Sequence, residues 1–427
     1  MIAATRPSTP SLVLLACGLA SSACLAAPAS VTGQFTPFEA AIARFDAEVA
    51  AGVAEDAAGA VSIAVFDGDR VLWSKGWGWA DIERLIAADA RTIGRTGSIS
   101  KTFTATLALQ LHERGVIDLD DPVVDYLPEI RGLADPPVDP GAITFRQLAS
   151  HTAGLVREPG LEGAATGPIQ LWEERVLQSI PTTGFETPPG TEYSYSNIGF
   201  GILGLALSRA AGVPFIELVE TLIFEPLAMD DSFFVLSDPR QIARMSVGYS
   251  RSRSGEVSAE GATQEHFGRG YKVPNGGIYS TVGDLARFAA ALMGVSEVRI
   301  LGDPGLLDMR TPQPPAARYG LGLSISDRDG GLRVIGHGGS VAGYNAYLAF
   351  DPLSRLGVAM LRTTEYEPPV VELLEELVAT TVAGGLAPGE PITVPDFAFD
   401  EYLPDHFDPS VSAPLFRSPC DPPPTLK

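Results

Sequence analysis

Runs that read as β-strand stand near both ends of this 427-residue chain with a helical stretch between them, and that arrangement limits the possible folds more than any other feature. Early in the chain, "VSIAVFDGDRVLWSKGWGWAD" shows two β-rich runs joined at Asp67-Gly68-Asp69, the chemistry of a tight hairpin turn rather than of a calcium loop. From Tyr319 onward, "YGLGLSISD", "GLRVIGHGGS", "YNAYLAFDP" and "RLGVAMLRT" are short β-type runs at hairpin spacing, and a helix is expected near Pro369 to Ala383. The two groups imply one antiparallel sheet closed by sequence-distant segments. Between them, about 116–270, the chain reads as helices broken by loops such as "ADPPVDPGA" and "ETPPGTEYSYSN", with helical runs at Thr144 to Ser150 and Gly199 to Ala211. A first helix is expected near Phe38 to Val53. The fold class is α/β, in the α+β sense: an antiparallel β-sheet lobe flanked by helices, with an all-helical lobe inserted in it.

The opening "MIAATRPSTPSLVLLACGLASSACLAAPAS" carries a single Arg6, an apolar run from about Leu12 to Leu25, and small residues at Ala27 and Ala29. That is the pattern of an export signal over 1–29, with a periplasmic or secreted product. An uncleaved anchor is the alternative, and lipidation at Cys17 or Cys24 is a further one. No later stretch reaches the 20 or so apolar residues of a spanning helix, so no membrane span is expected in the mature chain. Residues 384–427 are rich in Pro and acidic groups and are read as a surface tail, which leaves 30–383 as the folded domain.

Cys420 is the only cysteine of the exported chain, so no internal disulfide and no cysteine-based metal site is expected. The five histidines, His112, His151, His266, His337 and His406, lack H-E-x-x-H spacing, which argues against a zinc enzyme. No cofactor is expected. A net charge of −22 repels nucleic-acid phosphates, so the expected partner is a small-molecule or peptide substrate.

From Ser98 to about Gly115 the pattern turns helical, and Phe103, Leu107 and Leu111 at four-residue spacing, with Ala105, Ala108 and Leu109 on other faces, mark a buried helix. Gly115 stands where a left-handed C-terminal cap belongs. Positions i and i+3 share a helix face, so the Lys101 amine reaches the Ser98 hydroxyl while Ser100 points elsewhere. Ser98 is the candidate nucleophile, favoured by the N–H groups of the first helical turn. Lys101 then has to lose its charge, which requires burial or a neighbouring cation. Alone, the pair is also what an ordinary helix start shows.

"PPGTEYSYSNIGFGILG" places Tyr195-Ser196-Asn197 between a Pro-Gly loop and a helix. Tyr195 is a candidate proton shuttle, its ionised form favoured by the Lys101 ammonium, and Asn197 is placed to bind a substrate carbonyl. Tyr193 is the competing tyrosine. In "IGHGGSVAGYNAYLAFDP", His337 is followed by Gly338 and Gly339, which leave the strand open to a substrate lying alongside it, and then by Ser340. The N–H groups of Ser340 and Ser98 form a candidate oxyanion hole.

Taken together, the chain resembles the serine penicillin-recognising enzymes, in the branch of class C β-lactamases, D-aminopeptidases, DD-carboxypeptidases and related esterases. The resemblance lies in S-x-x-K at Ser98–Lys101, Y-x-N at Tyr195–Asn197 and [KH]-x-G at His337–Gly339. It extends over roughly residues 38–383 through "ALQLHERGVIDLDDPVVDYLPEI", "ITFRQLASHTAGL" and "NGGIYSTVGDLARFAAAL". It implies a β-lactamase/DD-peptidase-like fold with the site in a cleft between the two lobes. It also implies an acyl-enzyme on Ser98, proton movement by Lys101 and Tyr195, substrate held by Asn197, His337 and Gly339, and an oxyanion hole completed by Ser340. One departure matters: class C β-lactamases carry lysine where this chain has His337, which is largely neutral at pH 7. The expectation is therefore an exported serine hydrolase favouring a D-amino-acid peptide, amide or small ester. A genuine β-lactamase and a non-hydrolytic penicillin-binding-like receptor are the alternatives. His151, in a recurrent loop of the family, is expected to be structural. A lipase-type hydrolase is excluded by the lack of a G-x-S-x-G elbow.

Overall fold

The computed structural model describes residues 37–328 and 331–383. The expected export signal, Cys17, Cys24, the tail from 384, His406 and Cys420 lie outside the described residues.

The chain starts with helix α1 (Pro37–Asp56) and the hairpin β1 (Ala60–Asp67) and β2 (Arg70–Asp81), joined through the Asp-Gly-Asp turn. After β3 (Ile86–Ala87) and β4 (Gly94–Arg95) comes helix α2 (Ser100–Glu113), followed by Gly115 at φ +70°. The middle holds α3 (Phe145–Ala149), α4 (Trp172–Ser179), α5 (Asn197–Ala211), α6 (Phe215–Val219) and α7 (Pro239–Ala243), with short 3₁₀ turns between them. It also holds one feature that the helical reading lacked, the two-stranded hairpin β5 (Ser250–Arg251) and β6 (Val257–Ser258). Then follow α8 (Glu260–Glu265), α9 (Val273–Gly276), β7 (Tyr279–Ser280), α10 (Val282–Met293) and α11 (Asp303–Met309). The last segment is β8 (Ser324–Asp327), β9 (Arg333–Val341), β10 (Tyr344–Phe350), β11 (Leu356–Arg362) and α12 (Val370–Ala383).

The two distant groups of strands meet in a seven-stranded sheet, order β3-β2-β1-β11-β10-β9-β8, with β1 antiparallel to β11 from Val61 opposite Arg362 to Asp67 opposite Leu356. Side chains alternate across a strand, so β1 feeds two cores at once. Val61, Ile63 and Val65 join α1 and α12 on one face, where Phe45 and Val49 pack in the same cluster as Leu373, Leu374 and Leu377. Ala64 and Phe66 belong to the larger cluster on the other face, built with α2, α5 and α10. There Phe103 of α2 stacks on Phe288 of α10 at 3.7 Å between ring centroids. Every residue of α2 from Ser100 to Leu111 is buried, as its all-round apolar pattern requires. No single described helix is long and apolar enough to cross a membrane.

Candidate active site

Ser98 sits on a 3₁₀ turn, Gly97–Ile99, between β4 and α2. Gly97 has φ +51°, and a Cβ there would lie 2.7 Å from the backbone nitrogen of Ser340, so the turn needs glycine on both counts. Lys101, in the first turn of α2, has its Nζ 3.0 Å from Ser98 Oγ and 3.3 Å from the carbonyl oxygen of Asn275. Ser100 points the other way, 3.2 Å from Thr96 Oγ1, and accepts the Ile278 N–H. The lysine is fully buried. Burial foremost, then the positive charges of Arg157 and Lys272, hold its amine well below the ordinary lysine range, against the opposing pull of Glu158. The fold thus works toward the loss of charge that the chemistry requires.

The Tyr195 hydroxyl interacts with Ser98, and Lys101 Nζ stands 4.8 Å from the centre of its ring. Its protonation departs from the sequence expectation. Burial pushes the phenol up, outweighing the Ser98 interaction and the Arg157 charge that pull it down. The sequence expectation left out the cost of burying a phenolate, which exceeds what the neighbouring charge returns. Tyr195 therefore keeps its proton through the neutral range. Tyr193 is exposed and packs against the rings of His151 and Tyr319 instead.

Asn197 opens α5, whose N-cap Ser196 accepts the Gly199 N–H. Its amide nitrogen donates to Glu158 Oε1 at 2.6 Å, and its carbonyl accepts from Asn275 Nδ2 at 2.8 Å. Asn197 is thus tied to the residue whose carbonyl meets Lys101, but its amide N–H is turned to Glu158 rather than left open.

On β9 the backbone lies directly on the nucleophile turn. A Cβ at Gly339 would be 2.0 Å from the Thr96 carbonyl oxygen and 3.1 Å from the Ser98 nitrogen, so the backbone at Gly339 and Ser340 lies against that of residues 96–98. The reason for the glycine is different from the one expected. Gly339 makes room for the chain's own residues 96–98, whereas a Cβ at Gly338 would meet only Tyr347, at ordinary distance. His337 is buried. Its Nε2 lies 3.0 Å from the Tyr319 hydroxyl, and its Nδ1 faces the Gly338 carbonyl. A carbonyl only accepts, so Nδ1 carries the hydrogen and Nε2 accepts from Tyr319. Burial, with Lys101 adding to it, pushes the imidazole down to about 4. His337 is neutral as expected, but both nitrogens are used internally and neither is free to hold substrate.

His151 accepts the Ser196 N–H on Nδ1 at 3.1 Å, and its ring lies 4.2 Å from that of Tyr195 and 4.9 Å from those of Phe200 and Tyr319. It supports Tyr195 from beneath. The sequence did not single out Asn275, Tyr319, Arg157 or Glu158. Asn275 does stand in the "NGGIYST" stretch, but its contribution is a carbonyl, which no side-chain pattern reveals. Arg157 and Glu158 follow the His151 loop directly, and that adjacency was the available signal. Among the described residues no group of three or more His, Cys, Asp or Glu side chains is placed to hold a metal ion.

Residues 45–383 match the family described as Beta-lactamase. Over 320 residues the chain is 26% identical to the D-alanyl-D-alanine-carboxypeptidase/endopeptidase AmpH of Escherichia coli K12, covering 71% of this chain and 79% of that protein. A beta-lactamase of the same organism is 25% identical over 331 residues, with coverage of 69% and 81%. Among solved structures, a D-stereospecific amidohydrolase from Streptomyces sp. is similar with a TM-score of 0.62 at 26% identity, covering 78% of this chain and 97% of that one.

Proposed function

The chain belongs to the beta-lactamase family, and from that premise we propose that it is an exported enzyme that cleaves D-amino-acid peptides or amides, or small esters, through an acyl-enzyme on Ser98. It is a serine hydrolase of the β-lactamase and penicillin-binding family, whose relatives are named as a carboxypeptidase, a β-lactamase and an amidohydrolase. Export rests on the character of residues 1–29 alone.

One observation carries the chemistry: Lys101 Nζ lies 3.0 Å from Ser98 Oγ with burial holding that amine well below the ordinary lysine range, and the Tyr195 phenol, pushed up by burial, stands beside both. Lys101 takes the hydroxyl proton as the serine oxygen bonds to the substrate carbonyl carbon. The negative charge then forming on the carbonyl oxygen falls to the Ser98 and Ser340 N–H groups, each worth about 2.7 to 4 kcal/mol in the transition state. As the C–N or C–O bond breaks, the leaving atom receives a proton through Tyr195, which is resupplied from Lys101. Water then attacks the acyl group and returns a proton by the same pair, regenerating the serine. His337 favours amides and esters over β-lactams, because a neutral imidazole engaged with Tyr319 and Gly338 gives no point charge of the kind a lysine gives there.

A fluorophosphonate probe followed by intact mass is expected to label the wild type once and to spare Ser98→Ala. A turnover panel of nitrocefin, para-nitrophenyl butyrate, D-alanyl para-nitroanilide and a D-Ala-D-Ala peptide is expected to favour the last three. Label retained in Ser98→Ala rejects the nucleophile, and nitrocefin as the best substrate rejects the substrate class in favour of a β-lactamase.

A further inference from the structure

Three cations act on Lys101, namely Arg157, Lys272 and Arg269. Lys272 pairs with Glu158 at 3.1 Å, and Arg269 pairs with Glu265. Arg157 is exposed, and among the described residues its guanidinium makes neither an ion pair nor a hydrogen bond. In a chain of net charge −22 an unneutralised arginine beside the nucleophile is conspicuous. Its neighbour Glu158 is already occupied, accepting from Asn197, Lys272 and the Tyr271 hydroxyl.

The arginine is also built into place. The Val156 carbonyl accepts the Ser196 hydroxyl at 2.8 Å, the Arg157 carbonyl accepts the Asn197 N–H at 2.9 Å, and Glu158 takes the Asn197 amide. Three successive residues are thereby fastened to Ser196 and Asn197, directly after Tyr195. From that mounting the guanidinium stacks over the Tyr195 ring, its carbon 4.8 Å from the ring centre, and Lys101 Nζ, which reaches Ser98 Oγ, lies 4.8 Å from the centre of the same ring. Stacking occupies a face of the guanidinium and leaves its edge N–H donors free, the arrangement that suits a carboxylate.

We propose that Arg157 receives a carboxylate carried by the substrate, so that this hydrolase works on acidic amides, peptides or esters. The inference rests on the hydrolase reading above and deepens it: the cation missing at His337 is supplied by the arginine stacked on Tyr195.

Two matched pairs of substrates test it. Para-nitrophenyl butyrate against the para-nitrophenyl monoester of glutarate places the charge on the acyl side. Acetyl-D-alanyl-D-alanine against its C-terminal amide places it on the leaving side. In at least one pair the wild type is expected to prefer the anionic member about tenfold or more in kcat/KM, the scale of a charged hydrogen bond. Arg157→Gln is expected to abolish that preference through KM, Arg157→Lys to keep part of it, and Arg157→Glu to reverse it. Any effect of the arginine on Lys101 slows both members alike and cancels from the ratio. Calorimetric binding of the same pairs to Ser98→Ala reads the contact without turnover. Ratios and affinities that are unchanged by Arg157→Gln in both pairs overturn the proposal. Arg157-dependent binding in a protein that turns over none of the four keeps the subsite and rejects the hydrolase instead.

Discussion

The two faces of the sheet are covered by different kinds of material. On one, α1 and α12 bury Phe45, Val49, Leu374 and Leu377 against Val61, Ile63, Val65 and Met360, an apolar layer against which Tyr347 and Tyr366 pack, both pushed by burial above the ordinary tyrosine range and so uncharged at neutral pH. On the other, the larger apolar cluster runs alongside Lys101, His151 and His337, all buried and all pushed by burial toward their uncharged forms. One face supplies stability that is indifferent to pH, while the other gives up some of it to keep bases dry. The contrast separates substitutions that unfold the protein from those that silence it.

The strongest way to sharpen the contrast acts on the chemical face alone. Gly339→Ala puts a methyl group 2.0 Å from the Thr96 carbonyl oxygen and drives the Ser340 N–H away from Ser98. With one oxyanion donor lost, kcat is expected to fall about 10² to 10³-fold, and fluorophosphonate labelling of Ser98 to slow with it. Unaltered labelling would mean that β9 does not form the oxyanion hole. On the apolar face, Leu374→Ala empties a fully buried site in α12 and is expected to lower the unfolding free energy by about 2 to 5 kcal/mol in urea titrations. It should leave kcat of the folded fraction unchanged; a matching loss of kcat would break the separation.

The smallest effect is in pH. His337 is pushed down to about 4 and His266 to about 3, both by burial, so the unfolded chain binds more protons than the folded one below the ordinary histidine value of about 6.5. The histidine contribution to stability is therefore whole above that value and declines as pH falls through 6.5 toward 4. His337 accounts for up to about 3 kcal/mol of the decline at 1.36 kcal/mol per pH unit. Leu374→Ala is expected to lower the curve without changing its slope, and His337→Gln to flatten it. A slope untouched by His337→Gln would show that this histidine is not buried as a neutral group.

How much of this was legible in the sequence follows from how local each feature is. The Asp-Gly-Asp hairpin, the buried helix after Ser98, its glycine stop and the strands after Tyr319 are set by near neighbours, and each appears where expected. The Ser98–Lys101 contact was readable because helix geometry alone brings i and i+3 together. The protonation of Tyr195 was not, because it depends on how dry Lys101 becomes once α5, α9 and β9 close round it. Nor was the engagement of His337, since its partner Tyr319 lies eighteen positions away in an unremarkable stretch. Gly339 was identified as indispensable for access by substrate, when its nearest obstacle is the chain itself.

The pairing of β1 with β11 has a consequence for the order of assembly. Val61 finds its neighbour Arg362 only after some three hundred further residues have been made, and the two N–H groups at 98 and 340 belong to opposite halves of the polypeptide. A nascent chain halted anywhere before β9 holds its serine and lysine yet lacks the second donor. Under the mechanism proposed above, the second donor is in place only when the final strands have paired beside the first.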